Sequence, residues 1–296
     1  MAIANVVLGS TLISLSLLSA LCLAYFGAVF YRYRNNMVVV KRRGSIVIIQ
    51  IICAVIILSL GIPLSIFLHF DWHLDPPRNH TIHLVLDILN DLFYGPFYYF
   101  LFFLGIERLW LIYYDVQFSK SCLNLEWKKA ITSNLAALSE EKWYVQHRDT
   151  LGNESYVTKP VIVIGTAISL TVLTLNYLWR LGVVHFAILP WGPINMLIFI
   201  SLITMIITLR RKLPEFDDSI YLHREFTVLT SCWIPAILGY APSVIVEMIW
   251  GKNLVSSSLE HFAAIFAASV TPFISTVWVV QQIRSSDEIN LIRQLS

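Results

Sequence analysis

The sequence predicts an all-α membrane protein: a bundle of seven transmembrane helices, N-terminus outside and C-terminus in the cytoplasm. Three observations carry that prediction. Seven long apolar stretches occur at 3–30, 46–70, 83–114, 157–179, 183–209, 226–250 and 259–283. Each matches or exceeds the ~20 residues an α-helix needs to cross a bilayer core. Hydrophobic residues make up 57% of the chain and charged residues 14%, with a mean hydropathy of +0.68, a composition too apolar for a water-soluble domain of 296 residues. The basic residues fall almost entirely in alternate gaps, the first, third, fifth and C-terminal, while the other side holds only Arg78, Arg180 and Lys252. Because Lys and Arg are retained on the cytoplasmic face, this asymmetry sets the orientation.

Taken in order, the first stretch begins almost at Met1 with no basic residue before it, and Arg32, Arg34, Lys41, Arg42 and Arg43 follow it. That charge order suits an uncleaved signal-anchor inserted N-terminus out. The second gap lies outside and carries the sequon Asn79-His80-Thr81, which makes Asn79 the expected glycosylation site. A second sequon, Asn153-Glu154-Ser155, falls on the cytoplasmic side, where it is expected to stay unmodified. It closes the one long loop, 115–158, whose Trp127-Lys128-Lys129 and Glu141-Lys142-Trp143-Tyr144 runs fit an amphipathic piece on the inner leaflet or a partner-binding element. The seven-helix domain is expected over 1–283, followed by a short cytoplasmic tail, 284–296.

Composition also excludes functions. The net charge of +2 reflects the cytoplasmic loops and suits anionic lipid, not nucleic acid, for which no motif is present. Of the four cysteines, Cys22, Cys53 and Cys232 lie within predicted helices and Cys122 in a cytoplasmic loop, so none can staple the outer face. No Cys/His spacing suggests zinc, no histidine has a spaced partner on its own helix, and no cofactor or metal is expected. The chain is expected not to be an enzyme.

The polar residues inside the apolar stretches are the candidates for function, since intramembrane charge is costly. Asp87, Asn90 and Asp91 sit at i, i+3 and i+4, on one face of the outer part of the third helix. They either line an outward-facing polar pocket or begin the helix in the headgroup region. His185, Glu247 and His261 cap the fifth, sixth and seventh helices on that side and complete a candidate ligand pocket; singly, each also suits an interfacial residue reaching for water. At the other end, Glu107 and Arg108 form an acid-arginine pair that reads as a conformational lock or as an arginine snorkelling beside Trp110. Cys232-Trp233-Ile234-Pro235 matches the C-W-x-P of rhodopsin-type receptors, making Trp233 and Pro235 candidate switch residues. The seventh helix, Ser269-Val270-Thr271-Pro272-Phe273, lacks that family's asparagine before proline and has no lysine for retinal.

A broader match covers about 90–283. Arg210-Arg211-Lys212-Leu213-Pro214-Glu215-Phe216-Asp217-Asp218, the run Glu247-Met248-Ile249, Gly95-Pro96 and Arg108-Leu109-Trp110-Leu111-Ile112-Tyr113-Tyr114-Asp115 carry it. Together they resemble the membrane region of the receptor-like regulators of G-protein signalling of plants, with relatives in fungi and protists. The resemblance implies a seven-helix sensor of an unknown small-molecule ligand, coupled to a heterotrimeric G-protein α subunit. It also implies a docking surface at Arg108, Arg210, Arg211, Asp217 and Asp218. The cytosolic domain that speeds GTP hydrolysis in members of that family is not in this sequence. The competing expectation is a small-solute or ion transporter or channel using Asp87 and Asp91 as its polar path. The plasma membrane and an endomembrane are equally open as its location.

Overall fold

The computed structural model describes residues 2–36, 39–40, 43–69, 85–86, 88–90, 93, 101, 103–113, 154–180, 200, 203–205, 207–209, 211, 224–232, 242, 245–246, 249 and 254–295. All of these are helical apart from 33–36 and 43, and the described helical residues touch every one of the seven apolar stretches. Six elements have defined bounds: α1 (Ala2–Arg32), α2 (Gly44–Ile56), a π turn (Ile57–Gly61), α3 (Ile62–His69), α4 (Glu154–Arg180) and α5 (Leu254–Leu295). Helix is the expected outcome for apolar runs of this length, because in hydrocarbon every backbone N–H and C=O must be satisfied within its own segment. Among the described residues, three helices are long and apolar enough to cross a membrane: Asn5–Arg32, Gly44–Leu68 and Ser257–Val277.

α1, the α2–π–α3 rod and α5 pack on one another. Their shared core joins Leu12, Ala20 and Leu23 of α1 to Ala54, Ile57, Leu58, Ile62 and Ile66 of the rod and to Ala264, Ile265, Ala267 and Ala268 of α5. Small alanines on α5 let the backbones approach, the usual way helices associate where no hydrophobic effect drives them together. Gly27 does the same on α1: a Cβ there would meet Ile51 Cγ2 at 2.8 Å. α1 is the least buried of the three spans. Val6, Leu18, Leu21 and Tyr25 cover its outward side.

The directions of the helices follow from these contacts. Phe30 of α1 packs with Val47 and Ile51 of α2 and with Val279 and Ile283 of α5, so α1 and α5 run the same way and α2 opposes them. The turn between α1 and α2 is closed by Asn36 N–H to Tyr33 O at 2.8 Å and Arg43 N–H to Val40 O at 3.1 Å. Arg43 itself takes a left-handed conformation, φ 54° and ψ 53°, immediately before α2. Arg34 stacks over Tyr31, 4.2 Å from the ring centroid. That pairing of cation and aromatic is typical of a membrane interface.

Two features lie outside the sequence reading. The rod widens into a π turn at Ile57–Gly61, where buried Ser16 of α1 donates a 2.6 Å hydrogen bond to the Leu58 carbonyl. α5 continues to Leu295, beyond the apolar stretch that ends at 283, and its 42 residues measure about 63 Å at 1.5 Å each. The sequence from Arg284 on contains neither glycine nor proline to stop it, and Arg284 and Glu288 are spaced i, i+4. Pro272 interrupts the backbone ladder within α5, and Thr271, Ser275 and Thr276 turn their hydroxyls back onto carbonyls four residues earlier.

Candidate functional site

The most polar junction among the described residues is built from four separate segments. Arg108 enters from the 103–113 segment, Glu225 from the 224–232 segment, Ser275 from α5 and Gln50 from α2. The 103–113 segment is apolar on the faces it shares with its neighbours. Leu104 and Leu111 pack on Ile46, while Leu109, Ile112 and Tyr113 pack on Leu209, Phe226, Leu229 and Ile274. Those contacts drive Arg108 into the interior, where it is 1% exposed, and the same packing of Phe226 and Leu229 carries Glu225 to 0%.

Inside the bundle the guanidinium and the carboxylate form an ion pair through Arg108 Nη2 and Glu225 Oε1. Arg108 Nη2 also donates to Ser275 Oγ at 2.8 Å, and Ser275 Oγ donates to Glu225 Oε1 at 2.8 Å, which closes a triangle of three side chains from three segments. A buried charge is tolerated only when paired and hydrogen-bonded. Here pairing ties three segments together at one point. Gln50, fully buried, donates from Nε2 to the Leu101 carbonyl at 3.1 Å. Its amide lies against Gly105, where a Cβ would stand 2.8 Å from Nε2 and push the Gln50 side chain aside. A cavity of about 20 Å³ lies between them, lined by Gln50, Gly105, Arg108, Phe226, Thr271 and Ser275 among others.

A second polar junction lies about 22 Å further along the rod, fifteen residues from Gln50 at the helical rise. Ser65 Oγ and His261 Nε2 are 2.9 Å apart, and His261 Nδ1 is 2.5 Å from the Ser257 carbonyl. A carbonyl can only accept, so Nδ1 carries a proton. In the neutral ring Nε2 then accepts from Ser65.

Of the residues singled out in the sequence, Arg108 is therefore aimed into the bundle at Glu225, not outward at a partner. Glu107 is not its counter-ion: adjacent residues on a helix do not face each other, and Glu107 Oε2 has no hydrogen-bond partner among the described residues. His261 is 1% exposed and packed at the α3–α5 contact. Asn90 is half-buried, with Oδ1 lacking a partner among the described residues, and Arg211 is exposed. Asn79, Asp87, Asp91, His185, Arg210, Asp217, Asp218, Trp233, Pro235 and Glu247 lie outside the described residues.

Sequence reading missed Glu225, Ser275 and Gln50. Two of them had a signal: Gln50 is the one polar side chain between Val47 and Ile57 apart from Cys53, and Glu225 stands at the edge of an apolar run with Leu229 and Cys232 on its face at i+4 and i+7. Compared with protein-family models, curated proteins and solved structures, the chain matches none of them.

Proposed function

We propose that the chain is a receptor-like seven-helix membrane protein linked to heterotrimeric G-protein signalling, with its N-terminus outside. It senses a small molecule through the outer ends of the helices bearing Asp87, Asn90, Asp91, His185 and Glu247. The observation that carries this reading is the buried Arg108–Glu225–Ser275 triangle. An ion pair that ties three helices at one level can be closed or separated, and only the closed arrangement satisfies both charges in the interior. Such a contact is what a sensor needs to convert a shift at one end into exposure at the other. The triangle sits toward the end of the bundle where the α1–α2 turn, rich in arginine and lysine, marks the cytoplasmic face by the positive-inside rule.

Helix direction supports seven crossings. The 103–113 segment runs with α1 and α5, since Gly105 faces Thr271 while Arg108, three residues on, faces Ser275. The 224–232 segment runs against them: Glu225 meets Ser275, and Thr230 shares the cavity wall with Gly105 and Thr271. Between the 103–113 and 224–232 segments lie α4 and the helical residues of 200–211. A chain that crosses once in each of these reaches residue 224 on the side the contacts require.

The experiment that tests the reading reconstitutes the protein in nanodiscs with the Gα of its source organism. It measures binding and the rate of GTPγS exchange for the native chain and for Glu225→Gln, which frees the guanidinium. Faster exchange with Glu225→Gln than with the native chain supports a lock. No binding by either, together with a substrate-dependent flux or current in proteoliposomes, replaces the receptor with a transporter or channel.

A further inference from the structure

Arg108 offers five N–H donors, and the triangle with Glu225 and Ser275 occupies only those on Nη2. Nε–H and the two N–H groups of Nη1 have no partner among the described residues, although the side chain is 99% buried. Gln50 is fully buried as well, and its Oε1 accepts from no donor among the described residues. Both side chains line the same cavity of about 20 Å³. The hydroxyls on its wall are committed elsewhere: Thr271 donates to Ala267 O at 2.8 Å, Thr230 to Phe226 O at 2.7 Å and Ser275 to Glu225. The cavity is thus lined by one residue with surplus donors and one with a lone acceptor, inside walls otherwise made of Ile106, Leu109, Phe226 and Leu229.

We infer that this cavity is a binding site for structural water, held between the free edge of Arg108 and Gln50 Oε1, and that Gln50 is the residue that positions it. Three properties of the occupant follow from the site. It must accept from a guanidinium and donate to an amide oxygen, which water does with one molecule. It must fit: a water needs a cavity of about 10–15 Å³ by this kind of measure, and two to four polar partners. It must be neutral. Arg108 and Glu225 already cancel, so a chloride or carboxylate of equal size would leave a net negative charge in the apolar interior, facing the amide oxygen of Gln50. The water makes α2 a fourth member of the junction and gives the guanidinium a partner on the side away from Glu225. The inference stands on this geometry alone and does not require the signalling reading.

X-ray radiolytic labelling of the intact protein in nanodiscs tests it, because hydroxyl radicals born from a bound water mark the side chains that touch it. Phe226 and Phe30 are nearly equal in burial, 1% and 0% exposed, but Phe30 lies in a wholly apolar cluster with Val39, Val47, Ile51, Val279 and Ile283. The expected result is labelling of Phe226 several-fold faster than of Phe30, falling to the rate of Phe30 in Gln50→Met, which keeps the bulk and removes the acceptor. Phe30 serves as the folding control. If its labelling rises in Gln50→Met, Gln50→Leu takes that variant's place, since it too removes the acceptor and adds no charge. Equal labelling of Phe226 and Phe30 in the native protein means a dry cavity and overturns the inference. So does fast labelling of Phe226 that persists in a folded Gln50 variant, because the water would then be held by something other than this residue.

Discussion

Removing one member of the Arg108–Glu225 pair leaves the other buried and uncompensated, and the structure makes the consequence quantitative. Glu225→Leu strips the guanidinium of its counter-ion and leaves Ser275 Oγ as its one remaining contact in the triangle. Breaking a buried pair from one side costs about 3–5 kcal/mol. At 1.36 kcal/mol per tenfold, that is a shift of roughly 150- to 5,000-fold in the unfolding equilibrium. Arg108→Met should cost a comparable amount, since Glu225 then stands with Ser275 but without a cation. The double variant should recover most of the loss, because two apolar side chains of similar volume leave no bare charge. A double-mutant cycle reads this directly. Purified protein in nanodiscs is unfolded with denaturant while a thiol-reactive dye reports the exposure of Cys53, which is 5% exposed in the α1–α2–α5 core. With single losses of about 3–5 kcal/mol each and a near-neutral double variant, the coupling should approach their sum, about 6–10 kcal/mol. Single-variant losses under about 1 kcal/mol, the range of exposed ion pairs, would refute the argument. So would losses that simply add in the double variant.

Three further outcomes follow from contacts elsewhere in the bundle. Ser65→Ala leaves His261 Nε2 without its 2.9 Å partner and should destabilise by about 1–3 kcal/mol, with Ser65→Thr largely sparing it, in the same denaturation assay. Gly27→Val drives a side chain into Ile51 Cγ2 and should cost about 1–3 kcal/mol, most of it recovered in Gly27→Val/Ile51→Ala. Ser16→Ala removes the hydrogen bond to the Leu58 carbonyl in the π turn; a loss of about 0.6 kcal/mol is the membrane average for such bonds, and amide exchange across Ile57–Gly61 should quicken.

The bilayer explains which parts of the fold were legible. It demands length, apolarity and internal hydrogen bonding of every span, and these are properties of a contiguous stretch of sequence. Asn5–Arg32, Gly44–Leu68 and Ser257–Val277 therefore coincide closely with stretches read from hydropathy alone. The π turn was illegible for the same reason. Ile57-Leu58-Ser59-Leu60-Gly61 is as apolar as its flanks, and hydropathy carries no information about whether a carbonyl bonds to the fourth or the fifth residue on. The continuation of α5 beyond the apolar stretch was illegible because hydropathy falls at Gln281-Gln282 while helix propensity does not.

The site divides along a similar line. Arg108 stood out as half of an acid-arginine pair near the end of an apolar stretch, but its partner lies 117 residues away and no local spacing points to it. The adjacent Glu107 is the tempting choice on sequence, and helical geometry is what excludes it: side chains one residue apart diverge by about 100°. Ser275 was hidden differently. On α5 it is one of several hydroxyls four residues apart that bond back to their own helix, as Thr271 does to Ala267, and only a third segment arriving with a carboxylate distinguishes it. Chemistry that depends on one residue announcing its cost is thus readable in a chain like this one, whereas chemistry that depends on three helices meeting at one level has to await the packing. The pairing of Arg108 with Glu225 also changes what the arginine can offer a partner: so long as the triangle is closed, the charge at 108 is spent inside the bundle. Any cytosolic protein that uses it must first bind a state in which the 103–113 and 224–232 segments have moved apart.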